Sequence, residues 1–239
     1  MPSMVFDERV LRGFRPGDAA DFACAARESV NTVGRWMPWR TASFSKADAL
    51  AWFKQCRASK RAKTAVELGI FSKTTGELLG GAALNAIDRR NLVCNLGYWV
   101  KQSAQRQGIA SRAVRALVPC AFDVPGMKRV EIVAAAGNLA SESVARKYGA
   151  QLEGIARNRI QRHGTATAAL IFSVAPHTAQ PSASAGARRA ACAATTGRPP
   201  PTPARLPASG RRTAPRDRRR DRGSSSSVPG AGATAAAAR

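Results

Sequence analysis

The chain has 239 residues, a formal net charge of +23 and 44% hydrophobic residues, so its length and composition allow one substantial domain with a real core. Its five cysteines form no CxxC pair and it has only two histidines, which argues against a disulfide framework and against a zinc site. No stretch reaches the roughly 18 apolar residues that span a bilayer, and residues 1–10 lack the apolar core of a secretory signal, so we expect a cytoplasmic protein with reduced thiols and no membrane partner.

The first part of the chain alternates between strand and helix patterns. Residues 10–14 are predicted as a strand, and a helix over residues 18–32 follows it. The segment Trp36-Met37-Pro38-Trp39 interrupts the helical pattern, because proline disfavours helix at the residue before it. Ser45 and Asp48 have the spacing of a capping box, which predicts a second helix directly after them.

The alternation continues to residue 175. We predict strands at residues 65–71, 78–85, 92–100, 129–135, 152–160 and 167–175, and helices at residues 108–122 and 139–148. The turn residues 72–76 indicate that the first two of these strands form a hairpin. Gly149 fits the left-handed position that follows a helix end.

The composition changes after Pro176. Residues 177–239 are rich in Ala, Arg, Pro, Ser and Gly, with twelve arginines and no aromatic residue. Such a segment buries too little apolar surface to offset a backbone entropy of about 1–2 kcal/mol per residue. We therefore predict a folded domain over residues 1–176 and a disordered basic tail over residues 177–239. An accidental read-through extension is the alternative explanation of the tail.

The junction between the strand at 92–100 and the helix at 108–122 carries the most functional information. Here the loop Gln105-Arg106-Gln107-Gly108-Ile109-Ala110 opens the helix. The first backbone amides of a helix have no intrahelical partner and the helix dipole adds partial positive charge, so this junction suits a pyrophosphate. Gly108 and Ala110 are small enough for a phosphate to approach the backbone. An ordinary loop containing a glycine is the alternative, because one glycine is a weak signal by itself.

The sequence around this junction resembles the GNAT acetyltransferases. Gln105-x-x-Gly108-x-Ala110 matches their Gln/Arg-x-x-Gly-x-Gly/Ala signature. Leu96-Gly97-Tyr98-Trp99-Val100 is similar to the preceding strand in the ribosomal-protein N-terminal acetyltransferases, the RimJ/RimL type. Other segments resemble the same subgroup and occur in its expected order over about residues 9–176. They are residues 36–39, 138–141, 147–150, 153–154 and 157.

The resemblance implies an α/β (α+β) GNAT fold with a mixed, mostly antiparallel central sheet flanked by helices. In this fold the parallel strands at 92–100 and 129–135 would splay apart. Acetyl-CoA would bind as a co-substrate, with its pantetheine arm in that gap and no metal involved. The cofactor-binding residues that the resemblance implies are Tyr98, Trp99, Val100, Gln105, Arg106, Gln107, Gly108, Ile109, Ala110, Ser111, Asn138 and Ser141.

The implied reaction is direct transfer of the acetyl group from the thioester to a primary amine. A backbone N–H at Trp99 or Val100 would stabilise the oxyanion. Many GNAT enzymes place a tyrosine seven residues after the motif Asn to protonate the thiolate, and here that position is Ala145. By resemblance Ser141 is the candidate for this role, with an ordinary first-turn serine as the alternative. Asn138 would contact the pantetheine, cap its helix, or do both.

The catalytic base and the acceptor site are assigned by the same resemblance. Glu153 is the candidate to relay a proton through water or to recognise the amine, and a surface ion pair with a nearby arginine is the alternative. Trp36 and Trp39 are the candidates to line the acceptor groove. Aromatic residues beside a proline also serve as hydrophobic plugs, so that reading stays open for both.

Several acceptors and partners are compatible with the sequence. A protein N-terminus of the ribosomal type is expected from the resemblance, and a small amine such as an amine-bearing antibiotic is the alternative. The basic residues 211–212 and 216–222 would make weak contacts with nucleic-acid phosphates, although no aromatic residues are interleaved for base stacking. A nucleic-acid-associated protein is therefore one further alternative. A catalytically silent acetyl-CoA-binding protein is another, because Ala145 stands where the motif tyrosine is expected. Both a monomer and a homodimer fit.

Overall fold

The computed structural model describes residues 3–39, 41–123 and 126–176. The strands in these ranges are β1 (Met4–Phe6), β2 (Arg9–Arg12), β3 (Val66–Ser72), β4 (Leu78–Asp88), β5 (Val93–Val100), β6 (Arg129–Ala135), β7 (Gln151–Arg162) and β8 (Thr165–Val174). The α-helices are α1 (Ala19–Glu28), α2 (Lys46–Ala62), α3 (Ile109–Asp123) and α4 (Leu139–Tyr148). The predicted tail at residues 177–239 lies outside the described residues, so the domain boundary at residue 176 stays a prediction.

These strands form one mixed sheet in the order β1-β2-β3-β4-β5-β6-β8-β7. Every neighbouring pair is antiparallel except β5 and β6, which run parallel. The predicted mixed sheet with one parallel pair and flanking helices is thus confirmed.

The parallel pair opens into a gap. β5 and β6 pair only from Val93 with Arg129 to Asn95 with Glu131. Beyond that point β5 stays paired with β4 as far as Val100, while β6 stays paired with β8 as far as Ala135. Each strand thus stays paired with its other neighbour, and the C-terminal halves of β5 and β6, here called the upper halves, separate.

Helices cover both faces of the sheet. On one face, α3 and α4 bury an aliphatic cluster that includes Leu96, Leu117, Ile132 and Phe172. On the other face, α1 and α2 bury an aromatic cluster around Phe22, Phe53 and Trp99. Because side chains alternate along a strand, Leu96 and Trp99 of β5 reach opposite clusters, and the gap beside β5 lies between two packed layers.

The structure confirms several local predictions and corrects others. The Ser45–Asp48 capping box is formed, and Gly149 ends α4 with a φ of +91°. The first helix ends at Glu28 and is followed by a π-helical segment, Val30–Gly34, where the sequence pattern predicted continued α-helix. Strand β1 was not predicted, because three residues are too few for a recognisable period. None of the described helices is both long and apolar enough to cross a membrane.

Candidate active site

A cavity of about 560 Å³ occupies the gap between the upper halves of β5 and β6. It extends from the loop before α3 to the first turn of α4 and to the segment that carries the tryptophans. Of the residues predicted to form the site, it is lined by Trp36, Trp39, Tyr98, Trp99, Val100, Gln105, Arg106, Gly108, Ile109, Ala110, Ser111, Asn138 and Ser141. Gln107 and Glu153 are the two predicted site residues that do not line it.

The turn before α3 has a specific backbone shape. Arg106 and Gly108 both lie in the left-handed region, with φ values of +63° and +70°. The Arg112 amide donates to the Gly108 carbonyl at 3.1 Å and so closes the first turn of the helix. The amides that precede it therefore have no intrahelical partner, and they open toward the cavity that Gly108, Ile109 and Ser111 line.

The side chains around this turn make different contacts. The Gln105 amide nitrogen donates to the Val100 carbonyl at 3.2 Å and to the Thr32 hydroxyl at 3.3 Å, so Gln105 ties the turn to β5 and to the π-helical segment. Arg106 is exposed and lines the cavity, which leaves its guanidinium available to an anion. Gln107 is exposed, and its carbonyl accepts from Arg112 at 3.4 Å.

The ladder between β4 and β5 determines which amides of β5 point into the gap. The Lys101 amide donates to the Leu79 carbonyl at 2.9 Å. Since ladder bonds recur at every second residue, the Trp99 amide also points at β4, whereas the Tyr98 and Val100 amides point away from it toward the gap. Of the two predicted oxyanion donors, the geometry therefore supports Val100 and not Trp99.

The first turn of α4 faces this strand from across the gap. The Asn138 side chain accepts from the Ser141 amide at 3.2 Å, so Asn138 caps α4 while also lining the cavity. The Tyr98 hydroxyl donates to the Ser141 carbonyl at 3.0 Å and lies 3.1 Å from the Ser141 hydroxyl. The sequence predicted Tyr98 only as a backbone contact, and its phenol was missed because its partner lies far along the chain.

Glu153 lies outside the cavity, in an ion pair. Both of its carboxylate oxygens are 2.5 Å from the guanidinium of Arg129, and the Ser173 hydroxyl donates to it at 2.6 Å. The Arg129 hydrogen bonds, followed by that of Ser173, lower the pKa of Glu153 to about 2. A carboxylate with such a pKa is a poor base near neutral pH, so the geometry favours the ion pair over the predicted proton relay.

The two tryptophans line the cavity and are also packed. Trp36 packs against a small cluster containing Ile160 and Ala169, and Trp39 stacks on Phe22 with ring centroids 6.0 Å apart. The packing interpretation is therefore seen directly, and contact of these residues with an acceptor stays a prediction. The guanidinium of Arg35 lies 4.8 Å from the Trp36 ring centroid and that of Arg162 lies 5.1 Å away, so two cations lie beside this lining tryptophan.

Asn95 in the cavity wall was not predicted. Asn95 is 7% exposed and lines the cavity, and its amide nitrogen donates to the Asn85 side chain at 2.8 Å. A polar residue within the apolar strand pattern at 93–100 was the available signal. In the described ranges, no group of three or more His, Cys, Asp or Glu side chains is arranged to hold a metal ion.

Comparison with known proteins agrees with this geometry. Residues 9–151 match the family described as "Acetyltransferase (GNAT) domain". The chain belongs to this family. It is 26% identical to the uncharacterized N-acetyltransferase YoaA of Bacillus subtilis (strain 168) over 174 residues, which are 72% of this chain and 96% of YoaA.

Two further proteins are similar to this acetyltransferase. The ribosomal-protein-serine acetyltransferase of Escherichia coli (strain K12) is 36% identical over 78 residues, 33% of this chain and 44% of that protein. The ribosomal-protein-S5-alanine acetyltransferase from Vibrio fischeri has a similar fold, with a TM-score of 0.67 at 20% identity, over 75% of this chain and 99% of that one.

The acetyltransferase uses acetyl-CoA as co-substrate and a primary amine as acceptor, and its residues fit both. The free amides and small side chains at the start of α3 suit a diphosphate. The gap between β5 and β6 offers the Tyr98 amide for main-chain pairing with an extended arm and leaves the Val100 amide free for the reacting group. The cavity continues from there to Ser141 and the tryptophans, so one continuous space connects the start of α3 to the tryptophans.

Proposed function

We propose that this acetyltransferase acetylates the α-amine of a protein N-terminus, with a ribosomal protein as the acceptor. The observation that carries the proposal is the chemistry of the cavity wall, in which none of the described lining residues is Asp, Glu or His. The ribosomal acceptor named for the E. coli relative supports the same class. Such an acceptor would place the enzyme in the cytoplasm.

A cavity wall without an acid or an imidazole selects amines that are already neutral. An α-amine has a pKa of about 7.7–8.0 and a lysine side chain about 10.4, so near pH 7.5 about a third of α-amines but only about one lysine in a thousand is uncharged. Without a base to remove a proton, the rate follows the neutral fraction of the acceptor. An N-terminal amine is then a much better nucleophile than a lysine.

The charge around the acceptor end argues in the same direction. Arg35 and Arg162 lie against Trp36, and no carboxylate among the described lining residues offsets them. A polycationic antibiotic would meet repulsion here, because like charges at short range raise the free energy of binding. A peptide backbone is neutral beyond its first amine, and the amide and aromatic groups of Gln161, Trp36 and Trp39 can contact it.

In this proposal the residues have distinct roles. The amides at residues 108–111 and the guanidinium of Arg106 hold the diphosphate of acetyl-CoA. The Val100 amide donates to the oxyanion, and the Ser141 hydroxyl donates to the leaving sulfur. Asn138 holds Ser141 in place by capping α4.

A mass-shift screen with acetyl-CoA tests the acceptor class. Peptides copied from ribosomal-protein N-termini should gain one acetyl group on the α-amine, with kcat/KM rising about tenfold per pH unit below about pH 7 and levelling near about pH 9, as the amine loses its proton. The matched control is the same peptide with a blocked N-terminus and a free lysine, which should react at least about 100 times more slowly. Faster acetylation of a polyamine or an aminoglycoside than of any peptide would overturn the proposal.

A further inference from the structure

The contact between Tyr98 and Ser141 joins two elements that face each other across the gap. Tyr98 lies on β5 and Ser141 on α4, 43 residues apart in the chain, and both line the cavity. The Tyr98 oxygen is 3.0 Å from the Ser141 carbonyl and 3.1 Å from the Ser141 hydroxyl. The phenol therefore has two acceptors on one residue and a single proton to share between them.

The protons of these groups can take two arrangements. When Tyr98 donates to the Ser141 carbonyl, the Ser141 hydroxyl can donate back to the phenol oxygen. When the Ser141 hydroxyl turns its proton into the cavity, its oxygen becomes an acceptor for Tyr98. Only rotations about C–O bonds separate the two arrangements, so the switch needs no movement of β5 or α4.

We propose that Tyr98 is a positioning residue that holds the Ser141 hydroxyl with its proton directed at the sulfur of the acetyl thioester. The inference rests on the proposed role of Ser141 and does not depend on which amine is the acceptor. Ala145, one turn further along α4, is fully buried and carries no donor. Tyr98 thus brings a phenol to α4 from the opposite strand.

The amine nitrogen forms a bond to the acetyl carbon, the C–S bond breaks, and its electron pair goes to sulfur. Ser141 donates a hydrogen bond to that sulfur while its own oxygen accepts one from Tyr98. The proton that the amine nitrogen loses finally restores the thiol. Tyr98 keeps its proton, because burial raises its pKa to about 12 and the phenol stays a donor throughout the working pH range.

The test measures the pKa of the thiol of bound coenzyme A from its thiolate absorbance, with the complex of desulfo-coenzyme A as the blank. Donors that face the sulfur stabilise the thiolate, so the wild-type chain should give the lowest thiol pKa. Ser141→Ala should raise it by about one unit or more, and Tyr98→Phe should raise it by part of that amount. Because Tyr98 acts through Ser141, the double variant should match Ser141→Ala.

Steady-state kinetics with an amine that the enzyme acetylates give a second measurement. Tyr98→Phe should lower kcat about tenfold and Ser141→Ala about 100-fold, with little change in the KM for acetyl-CoA. Tyr148→Phe removes a half-buried phenol from the end of α4, outside the cavity lining, and is the matched control that should change neither readout. Thermal melts check that all variants stay folded.

The proposal is overturned if Tyr98→Phe leaves the thiol pKa of bound coenzyme A at the wild-type value. The proposal is also overturned if the two substitutions shift the thiol pKa additively in the double variant, because additive shifts would show that Tyr98 acts independently of Ser141. The thiol measurement needs no acceptor, so its outcome is separate from the outcome of the peptide screen.

Discussion

At the scale of single residues, the site depends on where the backbone places its amides more than on charged side chains. Val100 faces the gap because of its position in the β4–β5 ladder, and the turn before α3 exposes amides because Arg106 and Gly108 adopt positive φ values. Gly108 is the residue for which this conformation is easiest, since it has no Cβ. Its substitution therefore tests the phosphate site directly.

Gly108→Asp should abolish binding of coenzyme A, with at least about a 100-fold loss of affinity, or about 2.7 kcal/mol, measured by titration calorimetry. The carboxylate would stand where the diphosphate is expected, and like charges repel. Gly76→Asp is the matched control. Gly76 lies in the turn between β3 and β4 with a φ of +74°, so it carries similar backbone strain far from the cofactor, and affinity should stay near wild type. Tight binding of coenzyme A by Gly108→Asp would show that the turn at Gly108 does not bind the diphosphate.

At the scale of secondary structure elements, the close approach of β4 and β5 fixes the position of β5 beside the gap. A Cβ on Gly80 would lie 2.2 Å from the Trp99 carbonyl oxygen, and one on Gly81 would lie 2.5 Å from the Trp99 indole nitrogen. The adjacent glycines therefore leave room for the backbone and the ring of Trp99. Because Trp99 packs at nearly right angles to both Phe22 and Trp39, this close approach also connects β5 to the aromatic cluster.

Gly80→Ala should destabilise the fold by about 1–3 kcal/mol, because the added methyl group meets backbone that cannot rotate away. It should also weaken coenzyme A binding, since Trp99 and Val100 must shift. Urea unfolding and calorimetry measure the two effects. Gly154→Ala on β7 is the control, because a Cβ there has nothing within 4 Å. Equal stabilities for the two variants would show that the β4–β5 contact tolerates more space than the structure indicates.

At the scale of the whole molecule, one ionic contact joins three strands at the far edge of the sheet. Arg129 on β6 reaches across β8 to Glu153 on β7, and Ser173 on the intervening β8 donates to the same carboxylate. Arg129 also pairs with Glu131 at 3.0 Å. This contact connects β7 to β6 at the end where β6 still pairs with β5, so we infer that it stabilises the sheet.

The stability that this contact contributes should depend on pH. The folded-state pKa of Glu153 is lowered to about 2, so the contribution is fully present above the unfolded value of about 4.5 and is lost as the pH falls through about 2. Glu153→Gln should therefore lower the melting temperature at pH 7 but not near pH 2. Glu142→Gln, which breaks an exposed i,i+4 pair with Arg146, should have little effect at either pH. An unchanged melting temperature for Glu153→Gln at pH 7 would contradict this.

Most of the fold could be predicted from the sequence, because strand and helix periods, capping residues and turn glycines are local properties. The turn at residues 105–110 was predicted for the same reason, and so was the cap at Asn138. The short strand β1 and the π-helical segment after Glu28 were not, since a three-residue strand and a change of helix type leave no periodic trace.

What the sequence alone determined about this protein is therefore the local chemistry: a glycine-containing turn that opens a helix, a capped serine beyond it, and a family resemblance that names the reaction. Only the tertiary structure decided that the Val100 amide faces the gap, that Tyr98 meets Ser141, and that Glu153 pairs with Arg129 outside the cavity. The physical reason is that these three facts depend on strand register and on the placing of β8 between β6 and β7, which arise from contacts between residues far apart in the chain.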